Sequence, residues 1–212
     1  MNITAVHHSW HDCVALFESR GLPSSSYENL YEEGYDVHAG RLAVSGPLDL
    51  DATEPYGTGF VIDGDLEVTG TILNLDDGCP ALIVLGDLTA GAVYLEGDAK
   101  LLVRGTVRVG AFVGNMTDKL VMIGGDLQAG VTVLSGGFFP DLVAGALTGP
   151  VLAQPYAVAE LGHDVATPPA AEVLLPELLR ADGEEDGHYF DVPGVHGSRL
   201  FAHLEAGRPV LR

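Results

Sequence analysis

From Leu42 onward, apolar residues alternate with polar ones in short runs, and the runs repeat. Five segments share the order apolar, any, apolar, any, Gly, any, apolar, and a sixth keeps it more weakly. They begin at Leu42, Phe60, Leu82, Leu101, Val121 and Asp141, and their glycines are Gly46, Gly64, Gly86, Gly105, Gly125 and Gly145. Two before the glycine stand Val44, Ile62, Val84, Val103, Ile123 and Val143. Two after it stand Leu48, Leu66, Leu88, Val107, Leu127 and Leu147. Alternate residues of a strand share a face, so these columns are predicted to point inward. A second glycine follows in most repeats (Gly70, Gly91, Gly110, Gly130, Gly149), then a third apolar run such as Val131-Thr132-Val133.

This period of about 20 residues predicts rungs of three short strands, with glycine at two corners and a longer third corner. A single rung cannot bury its inner face; stacked rungs at about 4.8 Å can. The expected fold is an all-β solenoid of about six rungs over residues 41–153, flanked by N- and C-terminal helices. Rung length drifts, whereas left-handed coils carry rigid hexapeptides, so a right-handed parallel β-helix is expected. An antiparallel meander is the alternative; it would use hairpin signals such as Asp63-Gly64 and Asp77-Gly78.

In the N-terminal region, 1–40, Ser9 and Gly21 bracket a predicted helix whose apolar residues Trp10, Cys13, Val14 and Phe17 share one side. A short helix near Ser25 would group Tyr27, Tyr31 and Tyr35. In the C-terminal segment, 154–212, helices are expected at 171–180 and 198–206. Three before the repeat glycines, Ala43, Val61, Ile83, Leu102, Met122 and Leu142 form an outward apolar stripe. A stripe of that kind implies a cover. The C-terminal segment is the expected cover, a second copy or a partner the alternatives. The N-terminal helix is expected to cap one end of the coil.

The Gly-Asp-Leu corners, as in Val61-Ile62-Asp63-Gly64-Asp65-Leu66, resemble those of bactofilin-type, polymer-forming β-helix proteins. The resemblance covers residues 41–153 and implies a cytoskeletal scaffold assembling end to end. Bactofilins carry short disordered tails; here the ordered N-terminal helix and the long C-terminal segment would each block an end.

Charge narrows the partners. The 212 residues carry 30 acids against 10 bases, a net charge of −20. Such a chain is repelled by nucleic acid and by anionic membranes and attracted to basic proteins or cations. No stretch long enough to span a bilayer lacks Gly, Asp or Arg. The N-terminus has no basic stretch followed by an apolar run, so a soluble, cytoplasmic chain is expected. Cys13 and Cys79 lack metal spacing and are expected to be reduced.

Candidate chemistry is sparse. γ-Carbonic anhydrases and hexapeptide acyltransferases resemble this architecture but place essential histidines on the coil. All eight histidines here fall outside 41–153. His7, His8 and His11 have the spacing of a helical turn but no acidic or cysteine partner for a metal site. Asp65, Asp87 and Asp126 follow repeat glycines and would stack into a carboxylate row, interrupted by Thr106. That row is either a cation or saccharide surface or a set of turn caps. Lys100, Arg104, Arg108 and Lys119 would gather near the fourth rung and either bind an anion or pair with neighbouring acids. The expectation is a non-catalytic scaffold or protein-interaction module, without cofactor or metal, contacting a protein partner or a second copy of itself. An acidic antidote-type protein and a polysaccharide-binding or lyase-type coil are the alternatives.

Overall fold

The structure is a computed structural model describing residues 3–52, 58–75, 80–116, 119–181, 183–186 and 190–212; Cys79, His188 and the Asp77-Gly78 pair lie outside these. In chain order the strands are β1 (Val6–His8), β2 (Tyr35–Ala39), β3 (Leu42–Val44), β4 (Leu48–Asp49), β5 (Gly59–Asp63), β6 (Leu66–Asn74), β7 (Ala81–Val84) and β8 (Leu88–Glu96). They continue with β9 (Ala99–Val103), β10 (Val107–Asn115), β11 (Lys119–Ile123), β12 (Leu127–Ser135), β13 (Leu142–Val143), β14 (Leu147–Thr148) and β15 (Val151–Ala153). The helices are α1 (Trp10–Ser19), α2 (Pro155–Glu160), α3 (Ala170–Val173) and α4 (Gly197–Glu205).

The strands wind into a parallel β-solenoid. One sheet runs β1-β2-β5-β7-β9-β11-β13, the other β14-β12-β10-β8-β6-β3, and every pairing except β1 with β2 is parallel. Each nine-residue strand of the second sheet bends at its glycine and so supplies two faces of the coil. In β10, Val107 and Val109 point inward before Gly110 and Phe112 does so after it, while Ala111 and Val113 turn outward. The interior is a stack of aliphatic columns, each fully buried side chain contributing roughly 1.5–3 kcal/mol.

Register corrects the start of the coil. Val37, His38 and Ala39 pair with Val61, Ile62 and Asp63, so the coil begins at β2, ahead of Arg41. Leu42 and Val44 pair with Leu66 and Val68, one face further round than the expected Phe60 and Ile62. The corner glycine of the first level is therefore Gly40, stacked under Gly64, while Gly46 stacks under Gly70 in the second glycine column. His38 thus lies on the coil, contrary to the expectation that no histidine does; its Nδ1 is 2.7 Å from the Thr4 carbonyl oxygen.

The covers are also redistributed. The true outward stripe is Val37, Val61, Ile83, Leu102, Met122 and Leu142. Its first four members are buried under the N-terminal segment, with Cys13, Phe17, Leu22, Tyr27 and Leu30. The C-terminal segment covers the third face instead: Leu73, Tyr94, Val113 and Val133 pack under Leu174, Leu178, Leu200 and Leu204. α1 thus lies along a side and does not cap an end. Ser9 caps it by accepting from the Asp12 N–H at 3.3 Å, and Gly21 ends it at φ 71°. At the ends of the coil, Ile3 and Leu42 pack against one mouth of the core and Val158, Leu161 and Val165 against the other. Beyond α3, Pro176 breaks the expected 171–180 helix into a single 3₁₀ turn at Pro176–Leu178. α4 forms as expected. Among the described residues no helix is long and apolar enough to cross a membrane.

Candidate interaction surfaces

Three lateral faces follow from this winding, and among the described residues the middle one alone carries no cover. Its outward column is Ala43, Glu67, Thr89, Arg108, Gln128 and Thr148, one residue per level, each exposed or half-exposed. These residues stand three after the corner glycines Gly40, Gly64, Gly86, Gly105, Gly125 and Gly145, and that fixed offset is the sequence signal that marks them.

The carboxylate row borders this face. Asp65 Oδ1 accepts from the Asp87 N–H at 2.9 Å, Asp87 Oδ1 from the Thr106 N–H at 2.9 Å, and Asp126 Oδ1 from the Ala146 N–H at 2.9 Å. Thr106 continues the row, its Oγ1 accepting from the Asp126 N–H at 3.4 Å. The side chains therefore form a ladder along the coil axis, each tying its corner to the level above. The turn-cap reading of the row holds, with the amide supplied by the next rung.

Second contacts occupy the ladder further. Asp87 Oδ2 accepts from Arg108 at 2.7 Å, and Asp126 Oδ2 from the Gln128 Nε2 at 3.1 Å. The Arg108 hydrogen bond and the Thr106 amide hold the Asp87 carboxyl below the usual carboxylate range. The Ala146 amide, then Gln128, does the same for Asp126.

The four predicted cations do not assemble into one basic spot. Lys100 lies buried on the covered outer side of the first sheet, 2.6 Å from Asp98 and 4.9 Å from the Tyr31 ring centroid. Lys119 pairs with Asp141 at 2.6 Å and sits over the Phe139 ring at 4.8 Å. Arg108 is on the bare face, held by Asp87. Arg104 is at the corner of the first sheet and, among the described residues, has no side-chain partner. Arg104 and Arg108 therefore line no common cleft with the carboxylates, as a lyase-type site would require.

The tyrosines divide as well. Tyr27 and Tyr35 are buried beside Phe17, and burial raises the Tyr35 phenol above its ordinary value. Tyr31 stays 55% exposed. Burial pushes the Cys13 thiol up to about 11, which makes it an inert core residue. Among the described residues no group of three or more His, Cys, Asp or Glu is placed to hold a metal ion.

Two carboxylates the sequence did not single out anchor the C-terminal cover. Asp191 Oδ1 accepts from the Gly136 N–H at 2.9 Å and from Ser135 Oγ at 3.1 Å. Asp186 accepts from the Ser198 N–H at 3.1 Å and Oγ at 2.6 Å, and also from the Gly197 N–H, at the start of α4. Both lie in the Pro-, Gly- and acid-rich tail, where no periodic pattern distinguishes a capping carboxylate from a solvated one.

Grooves among the described residues flank the coil, two of them along its lateral corners. One, of about 360 Å³, runs along Gly70, Gly91 and Gly110 against the tail residues Pro209, Val210 and Leu211. The other, of about 380 Å³, lies where the N-terminal cover stops, between Leu22-Pro23 and Met122, Leu142 and Arg104. Comparison with protein-family models, curated sequences and solved structures gives no match.

Proposed function

We propose that this chain is a non-catalytic interaction scaffold: a rigid β-solenoid that presents its middle face to a protein partner. The observation that carries the reading is the asymmetry of covering. Two of three lateral faces are covered by the chain's own segments, the first over four of its six levels, and apolar side chains pack over both mouths of the core. The middle face is left open and is stiffened by the cross-rung ladder. A flat surface of hydrogen-bonding side chains at fixed spacing suits recognition of a macromolecule better than catalysis, which calls for convergent groups in a cleft.

This reading departs from the end-to-end assembly that the bactofilin resemblance implies. Residues packed over the mouths, and strands of only two or three residues at the sheet edges (β3, β4, β13, β14), disfavour strand addition there. A second reading, an acidic antidote-type protein that neutralises a basic partner, draws support from the charge of −20. Six basic side chains, Arg20, Arg41, Lys100, Arg108, Lys119 and Arg199, are already engaged by carboxylates, so the remaining field is strongly negative.

The test is a paired substitution, Thr89→Arg with Gln128→Arg, assayed by co-purification from native extract. Loss of a stoichiometric partner, with the unfolding midpoint unchanged, supports the scaffold. Full retention of that partner overturns the assignment of the face. A partner released completely at high salt, whichever face is substituted, favours the antidote reading.

A further inference from the structure

We infer that the groove between Leu22-Pro23 and Met122-Leu142 is a docking site for an apolar peptide segment of a partner protein that carries a carboxylate, with Arg104 as its anchor. The site lies on a different side of the coil from the middle face, and its argument is independent of that face.

The outward stripe is a continuous apolar column of six side chains. The N-terminal segment buries Val37, Val61, Ile83 and Leu102 and then turns away at Gly21-Leu22-Pro23. Met122 is left half-exposed and Leu142 40% exposed, and these two floor a groove of about 380 Å³. The same strand face that gains its burial from the cover on four levels lacks it on the last two. A partner segment continuing the cover would complete the column.

Charge specifies the segment. Among the described residues, every other basic side chain has a carboxylate or a main-chain carbonyl as partner: Arg20, Arg41, Lys100, Arg108, Lys119 and Arg199 have acids, and Arg180, Arg208 and Arg212 have carbonyls. Among the described residues Arg104 alone has neither, on a chain with a threefold excess of acids (30 to 10). It stands at the corner one residue beyond β9, two after Leu102, and lines the groove. Strand geometry puts it on the order of 10 Å from the Met122-Leu142 floor. The complementary ligand therefore has aliphatic side chains for the floor and a carboxylate within a few residues, which Arg binds through a planar fork. A second copy of the chain is disfavoured as occupant, since two bodies of charge −20 repel each other.

The experiment uses the full chain and three capped synthetic peptides, Gly-Leu-Leu-Ser-Asp-Gly and its Asn and Lys counterparts, titrated by calorimetry at low salt. The inference predicts that the Asp peptide binds at least about tenfold more tightly than the Lys peptide, one ion-pair's worth of discrimination. Arg104→Gln should erase the difference, and Leu142→Asp, at an exposed position, should weaken Asp and Asn peptides together. Thr89→Asp, on the middle face, should change neither. No binding of the Asp peptide, equal binding of all three, or an unchanged preference in Arg104→Gln overturns the inference. So does sedimentation of the free chain as a dimer that Leu142→Asp dissolves, which would make a second copy the occupant.

Discussion

The Asp65 carboxylate accepts a hydrogen bond from the main-chain N–H of Asp87, 22 residues later and one level up the coil, at 2.9 Å. Asp87, Thr106 and Asp126 repeat that relationship. A corner amide, which turns away from the sheet ladders, is thereby satisfied by a side chain from the level below. Removing one acceptor leaves the amide above it to water alone. Asp87→Ala is expected to lower stability by about 1 kcal/mol. Asp87→Asn, which keeps an acceptor oxygen, should recover most of the ladder contribution. Urea unfolding midpoints of the two variants measure the difference, and equal loss in both would assign the effect to the Arg108 pair instead.

The same geometry explains why glycine precedes each ladder residue. A Cβ on Gly105 would run into Asp87 Oδ1 and come within 2.6 Å of the Gly86 carbonyl oxygen. At Gly86, Gly105 and Gly145 the glycine makes room for the aspartate of the level below, and at Gly125 for Thr106, so the Gly-Asp pair is a signature across rungs. Gly105→Ala is expected to cost about 2 kcal/mol through this overlap. Asp87→Ala should relieve part of the cost, and a double-mutant cycle on the urea midpoints gives the coupling directly.

Acid should weaken the ladder. The Asp87 and Asp126 carboxyls are held below their unfolded values by amide and side-chain donors. Folded protein therefore binds fewer protons than unfolded protein in that range. The stabilisation is complete above the unfolded carboxylate value of about 4 and is lost as pH falls through the lower folded values. Stability of the native chain should fall with a steeper slope below about pH 4 than that of the Asp87→Asn, Asp126→Asn double variant. Parallel pH profiles of the two would contradict the assignment.

Much of this architecture was legible in the alternation of aliphatic residues, because a strand face repeats every second residue and a solenoid repeats each face at every turn. Ile62, Val84, Val103 and Ile123 fall on the inner wall as expected. The first level differs from its expected register because Leu42-Ala43-Val44 and Phe60-Val61-Ile62 look alike while occupying different faces. Side-chain pattern alone does not say which face a short apolar run belongs to. Which terminus covers which face is not legible for a related reason: the helix at 10–19 and the tail at 170–211 both carry apolar sides, and either could lie on either face. The basic cluster failed because sequence proximity around a corner places neighbours on different sides. Arg104 and Arg108 are four residues apart and face different sheets.

Each cover should behave as part of the coil. Phe17 is fully buried against Val61 and Ile83, on the outside of the first sheet. Phe17→Ala is expected to cost about 3–5 kcal/mol and to expose apolar surface that a fluorescent dye detects before global unfolding. Leu200→Ala should do the same for the opposite cover, with its own protection pattern in hydrogen exchange around Tyr94 and Val133. Loss of protection at both covers in both variants would show that they do not open separately.

The claim that the middle face is the working surface is tested most directly by photo-crosslinking from single positions in native cells. A crosslinking amino acid placed at Thr89 or Gln128 reads that face, and one placed at Glu160 or Glu172 reads the C-terminal end and the tail. The account predicts a discrete adduct with one partner protein from Thr89 and Gln128 and none from the other two. Adducts confined to Glu160, or a ladder of self-adducts growing from the end of the coil, would contradict it.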